Sequence, residues 1–178
     1  MTMLGFGQKI GQIIQMAYVV ENIEKAIDWW VHDAQVGPWF LLESFTGEDH
    51  IYRGAQSKAD VRIAMAFAGH MQIELIQPKD DHPSVYRETI LERGYGFHHV
   101  GVAFADVDAE IPAYESRGYH VAFSAGVPTG GRVAYLGGGP GPGFVELIPA
   151  TAGMDAAFTA FWQASVDWDG KEPIRPFM

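Results

Sequence analysis

The stretch QMAYVVENIEKAI, Gln15 to Ile27, returns later in the chain as HVGVAFADVDAEI, His99 to Ile111. The two align without gaps at an offset of 84 residues. Each opens on a side chain able to ligate a metal, continues as a five-residue apolar run, turns at Asn22 or Asp106, and starts a helix. A second pair follows. QIELIQP closes one half with Glu74 inside it, and FVELIPA closes the other with Glu146 inside it, at an offset of 72. Both are apolar strands interrupted by one carboxylate and stopped near a proline, Pro78 or Pro149. Self-similarity at this spacing is the mark of a duplicated structural unit. The second copy is 12 residues shorter, and the difference falls between its helix and its last strand.

Periodicity fills in the unit. Ile23, Ala26, Ile27, Trp30, Val31 and Ala34 share one helical face behind the N-cap candidate Asn22, and Gly37-Pro38 ends the helix. The second helix is expected to start after Asp108, with Pro112 in its first turn, and to stop at Gly118. Three strand-like runs follow each helix: Trp39–Phe45, Val61–Ala68 and His70–Gln77, then Tyr119–Ser124, Arg132–Gly137 and Phe144–Ile148. Each half therefore reads βαβββ, an α+β fold in which two modules form a paired, cupped mixed sheet. The expected organisation is a single domain over 1–178, with module one at about 13–78, a linking helix at about 84–92 capped by Ser84, module two at about 97–149, and a C-terminal helix and tail at 153–178. The helix from Met154 is read as packing or an oligomer contact, and Asp167 to Met178 as a surface stretch.

Composition removes several function classes. The chain of 178 residues has no cysteine, so thiolate metal sites, disulfides and cysteine nucleophiles are out, and any metal must sit on nitrogen and oxygen. The formal charge of −10, without a basic run, argues against nucleic acid and anionic membrane partners. No apolar run approaches the ~20 residues of a membrane span, and the N-terminus lacks the pattern of a secretory signal, so the expected location is cytoplasmic. The GGGPGPG run, Gly137 to Gly143, lacks the Lys-Ser/Thr of a phosphate loop and reads as a hairpin connection.

Strand alternation puts Gln15, Ala17 and Val19 on one face, with His99, Gly101 and Ala103 on its counterpart. Glu74 and Glu146 match in the same way. Pseudo-twofold symmetry then brings Gln15, Glu74, His99 and Glu146 into one apolar cup. Two buried carboxylates are costly unless a cation compensates them. Gln12 and Gln72 are the alternatives if the register slips. Alternation turns His98 to the other face, as an ordinary buried histidine.

QMAYVVENIEKAIDWW, MQIELIQP, GFHHVGVAF and GFVELIP together resemble the vicinal oxygen chelate superfamily. This group includes glyoxalase I, methylmalonyl-CoA epimerase, extradiol dioxygenases and metal-free bleomycin-binding proteins. The resemblance runs from about Ile13 to Pro149 and implies Gln15, Glu74, His99 and Glu146 as ligands of one divalent ion (Zn, Ni, Co, Mn, Fe or Mg). The Gln/Glu/His/Glu set is similar to the animal type of glyoxalase I, whereas the VGPWF texture after the first helix is closer to the epimerase branch. The implied activity is a metal-dependent lyase, isomerase or epimerase working through an enolate of a small carbonyl or thioester compound, with Glu146 or Glu74 as base. The resemblance also implies a homodimer. Tyr52, Arg53 and Trp39 are the candidate substrate contacts. The alternatives are a metal-free resistance-type binding protein and an iron ring-cleaving dioxygenase. The latter wants two histidines and one carboxylate, where the implied ligand set has one histidine, a glutamine and two glutamates.

Overall fold

The computed structural model describes residues 2–178. In chain order the elements are β1 (Ile13–Val19), α1 (Ile23–His32), β2 (Trp39–Phe45), β3 (Glu48–Tyr52), β4 (Ala55–Gln56), β5 (Val61–Ala68) and β6 (Met71–Pro78), then α2 (Val85–Arg93), β7 (Gly96–Phe104), α3 (Val107–Glu115), β8 (His120–Gly126), β9 (Arg132–Gly137) and β10 (Phe144–Pro149), and finally α4 (Ala152–Val166) and β11 (Ile174–Pro176). The strands form one mixed sheet in the order β11-β2-β5-β6-β1-β7-β10-β9-β8-β3-β4. Module one supplies β2-β5-β6-β1 and module two supplies β7-β10-β9-β8. They join within one chain through the antiparallel pair β1–β7.

The duplication is preserved to the residue. In the parallel pair β1–β6, Gln15 lies opposite Gln72 and Ala17 opposite Glu74. In β7–β10, His99 lies opposite Phe144 and Gly101 opposite Glu146. The extra residues of module one form the β3–β4 hairpin, which does not stay with its own module. It crosses to pair β3 with β8, at the far edge of module two.

Helix caps follow the local chemistry. Asn22 Oδ1 accepts from Lys25 N at 2.8 Å, and Ser84 Oγ from Arg87 N at 3.1 Å. The third helix begins earlier than expected: Asp106 is its cap, accepting from Ala109 N at 3.1 Å. Pro112 therefore falls beyond the first turn. The first helix stops at His32, short of Gly37, because Asp33 already takes the C-cap position.

Alternation sorts the side chains into two faces. Ile73 and Leu75 pack under α1 with Ile23 and Ile27, and Leu136 and Leu147 pack near α3 with Val107. On the opposite face, Val19, Ile63, Met65, Ile76, Val133, Tyr135 and Ile148 line the cup. The cup is not left open. Phe158 and Phe161 of α4 are buried on it, Phe161 stacks on Phe40 at 4.0 Å, and Phe177 packs on Phe161 at 5.1 Å. The tail runs along the surface as expected for most of its length, but β11 adds to β2 in parallel and Phe177 is buried. Among the described residues, no helix is long and apolar enough to cross a membrane.

Candidate metal centre

The four central strands, β6-β1-β7-β10, send Glu74, Gln15, His99 and Glu146 into the cup. All four are buried. His99 Nε2 lies 3.0 Å from Glu146 Oε2, 3.0 Å from Gln15 Oε1 and 3.4 Å from Glu74 Oε2. The donor atoms of Glu74, His99 and Glu146 all lie within 4.8 Å of one another. That spacing suits ligands about 2.0–2.2 Å from a shared ion.

These contacts are not ion pairs. Burial brings the His99 imidazole down to about 3, so it is neutral at physiological pH. Burial also lifts Glu146 to about 8, with the Tyr135 hydroxyl pulling the other way. Glu74 is raised well above the carboxylate range by burial and then by the charge of Glu146. Two carboxyls forced towards neutrality, with Glu74 Oε2 lacking any hydrogen-bond partner, form a site short of positive charge. A divalent cation would restore the ionised form of both. The oxygen and nitrogen donors suit a hard or borderline ion.

A cavity of about 60 Å³ adjoins the four groups. Its wall includes Leu42, Phe45, Ile63, Met65, Val127, Tyr135, Phe158 and Phe177, and no Lys or Arg.

The family model for the Glyoxalase/Bleomycin resistance protein/Dioxygenase superfamily matches residues 14–135. The chain belongs to this superfamily. Among solved structures, this superfamily member is similar to a hypothetical protein from Bacillus halodurans (19% identity, 79% of this chain and 94% of that one, TM-score 0.59). It is also similar to methylmalonyl-CoA epimerase from Mycobacterium tuberculosis (18% identity, 83% and 93%, TM-score 0.58). A third is a methylmalonyl-CoA epimerase in complex with methylmalonyl-CoA and an ammonium ion (17% identity, 81% and 97%, TM-score 0.57). At these identities the likeness is one of fold. None of the curated proteins matches the sequence.

None of the three expected substrate contacts lines this cavity. Trp39 is fully buried with Ile23 and Trp30 on the α1 face and donates Nε1–H to Val36 O at 3.0 Å. Its place in β2 points it to the helix side, so it does not line the cavity. Tyr52 and Arg53 were expected to reach over the cup, but the hairpin carrying Tyr52 crossed to β8. There the Tyr52 hydroxyl donates to Glu88 Oε2 at 2.6 Å, and Arg53 forks onto the same carboxylate at 2.6 and 2.9 Å. Arg53 borders a separate groove along the Gly137–Phe144 loop.

His98 also departs from the alternation expected of it. Ala17 pairs with His99 and Tyr18 with Phe97, so His98 has no partner of its own on β1 and forms a bulge. A bulge sets two consecutive side chains on one side of the strand. His98 Nδ1 consequently lies 2.8 Å from His99 Nδ1, and its Nε2 lies 3.2 Å from Val85 O. Gln72 was an alternative ligand. It instead sits behind Gln15, whose Nε2–H donates to Gln72 Oε1 at 2.7 Å and so leaves Gln15 Oε1 facing His99. Neither neighbour carries a local signal. The repeat supplies one, since His98 and Gln72 stand where the other module has Ile14 and Phe144.

Proposed function

We propose that this chain is a metal-dependent isomerase, epimerase or lyase that moves a proton at a carbon beside a carbonyl of a small molecule. One observation carries the reading: two buried carboxyls, a neutral imidazole and an amide oxygen face a common point at the inner end of an apolar cavity. Gln15, Glu74, His99 and Glu146 would hold the ion. When bound, such an ion polarises a carbonyl and acidifies the neighbouring C–H. The chain's own part is to bind, dry and orient the substrate and to receive the proton. Glu146 and Glu74 both border the cavity and are the candidate bases. Tyr135, whose ring centroid is 4.7 Å from that of His99, closes the wall beside them.

The cavity's size favours a compact substrate, because sites for larger ligands usually offer about 300–1,000 Å³. Without a cationic side chain on its wall, nothing in the cup would pair with a phosphate or carboxylate tail. A small neutral 2-oxo or 2-hydroxycarbonyl compound fits better than the body of a thioester cofactor.

The test is solvent exchange. Protein purified without chelator is assayed for metal, then incubated in deuterated water with a panel of 2-oxo, 2-hydroxycarbonyl and thioester compounds. Metal-dependent deuterium incorporation that disappears in Glu146→Gln is expected. Stoichiometric metal with no exchange in any compound argues against the enzymatic reading. Failure to bind any divalent ion leaves the binding-protein alternative, which the apolar cavity also suits.

A further inference from the structure

We infer that His98 is a positioning residue, one that holds His99 in the tautomer whose Nε2 lone pair faces Gln15, Glu74 and Glu146. The inference rests on the metal-site reading above and concerns this chain's own atoms.

Two neutral rings bring two hydrogens to three contacts, since Val85 O at one end and Gln15 Oε1 at the other can only accept. With His98 Nε2 donating to Val85 O, 3.2 Å away, the contact left without a hydrogen is the one at Gln15 Oε1, where an ion would lie between two lone pairs. In a neutral ring His98 Nδ1 is then an acceptor. His99 Nδ1, 2.8 Å away, then donates to it. His99 Nε2 is left unprotonated and directed at the three oxygen-bearing side chains. A ligating histidine needs this arrangement, with one nitrogen free for the ion and the other tied to a partner.

Symmetry shows that His98 is not packing alone. The bulge at His98 is matched in module one, where the register slips between Ile13 and Gln15 and Ile14 is the extra residue. Both bulged residues are fully buried. The module-one residue is aliphatic, so the fold itself accepts an apolar side chain there. Two ring nitrogens at the equivalent place must be desolvated, and both find partners. The difference tracks the ligand that follows. Gln15 has no tautomer to choose, whereas His99 does.

The side chain is also held in place. His98 stacks on Tyr86 of α2 at 5.3 Å and touches Phe144 and Tyr135 at 5.2 and 5.7 Å. Phenylalanine at this position fills the same space but leaves the His99 Nδ1–H buried without an acceptor. The imidazole of His99 would then move its proton to Nε2, where Gln15 Oε1 and Glu146 Oε2 accept it, and the lone pair would be lost to the site.

The experiment is nitrogen NMR of full-length protein with ¹⁵N-labelled histidine, paired with zinc and cobalt titrations. In metal-free wild type, His99 is expected as the Nδ1–H tautomer and His98 as Nε2–H. His98→Phe should convert His99 to Nε2–H and weaken zinc binding about 10–100-fold. His98→Asn, which keeps an acceptor near His99 Nδ1, should restore the Nδ1–H signal and much of the affinity. An Nε2–H tautomer of His99 in wild type overturns the inference, whether or not either variant folds. So does a His98→Phe protein that keeps both the Nδ1–H signal and wild-type affinity. If wild type binds neither metal, the metal reading fails by itself, and the tautomer remains readable in the same spectra.

Discussion

His99 and Glu146, on the neighbouring strands β7 and β10, place Nε2 and Oε2 3.0 Å apart, a contact between a neutral imidazole and a buried carboxyl. The relationship predicts how stability depends on pH. Glu146 in the folded chain sits near 8, above its ordinary value, so its contribution is complete at acid pH and is lost as pH rises towards 8. His99 sits near 3, so its contribution is complete at neutral pH and is lost as pH falls from about 6.5 to 3. Between the ordinary carboxyl and histidine values the two oppose each other. Above about pH 6.5 only the carboxyls act, and Glu74 adds in the same direction as Glu146. Thermal unfolding in chelator should therefore show a falling Tm from pH 6.5 to 8.5. Zinc should remove that fall. A Tm rising steadily over this range in chelator would contradict the burial of both carboxyls.

Gly101 lies opposite Gln15 across the module junction. A Cβ there would meet Gln15 Oε1 at 2.8 Å and Ile148 Cδ1 at 2.7 Å. Its counterpart Ala17 carries that methyl without difficulty, so the glycine makes room for the amide. Gly101→Ala should displace Gln15, weaken zinc binding at least about tenfold, and cost about 1–3 kcal/mol from overpacking. Isothermal titration and urea unfolding read the two effects separately. Unchanged zinc affinity would remove Gln15 from the ligand set.

Phe158 and Phe177 wall the cavity from the C-terminal side. Small hydroxamates, which chelate through adjacent oxygens, measure the room beside the ion. Zinc-loaded wild type should prefer acetohydroxamate to benzohydroxamate. Phe177→Ala should narrow or reverse that preference. Phe158→Ala, deep in the core, should also lose about 3–5 kcal/mol of stability. Equal binding of the two hydroxamates by wild type would show that the tail does not limit ligand size.

Arg53 is engaged with Glu88, whose carboxyl is held low by Arg53 and Tyr52 against the effect of burial. Arg53→Ala should leave zinc affinity and proton exchange unchanged, with a stability loss of about 1 kcal/mol or more, because the fork is bidentate and the Glu88 side chain is largely covered. A large rise in KM for any exchanged compound would instead return Arg53 to the substrate path.

The duplicated motifs made much of this legible. Gln15 and His99 share a place in their modules, as do Glu74 and Glu146, and period-two alternation carried all four to one face. The spacing also located the 12 surplus residues. It could not say that they would pair with β8, because a hairpin's choice of edge depends on which strand is left unpaired at the end of the sheet. That choice kept Tyr52 and Arg53 off the cavity wall.

By itself, the sequence determined the two βαβββ modules, their matching register and the four polar groups of the cup, because these follow from local periodicity repeated in a second copy. Only the tertiary structure decided what surrounds those groups. The bulge at His98 breaks alternation and becomes visible only against the partner strand β1. Closure of the cup by Phe158 and Phe177 depends on contacts between residues far apart in the chain, whose geometry no local pattern encodes.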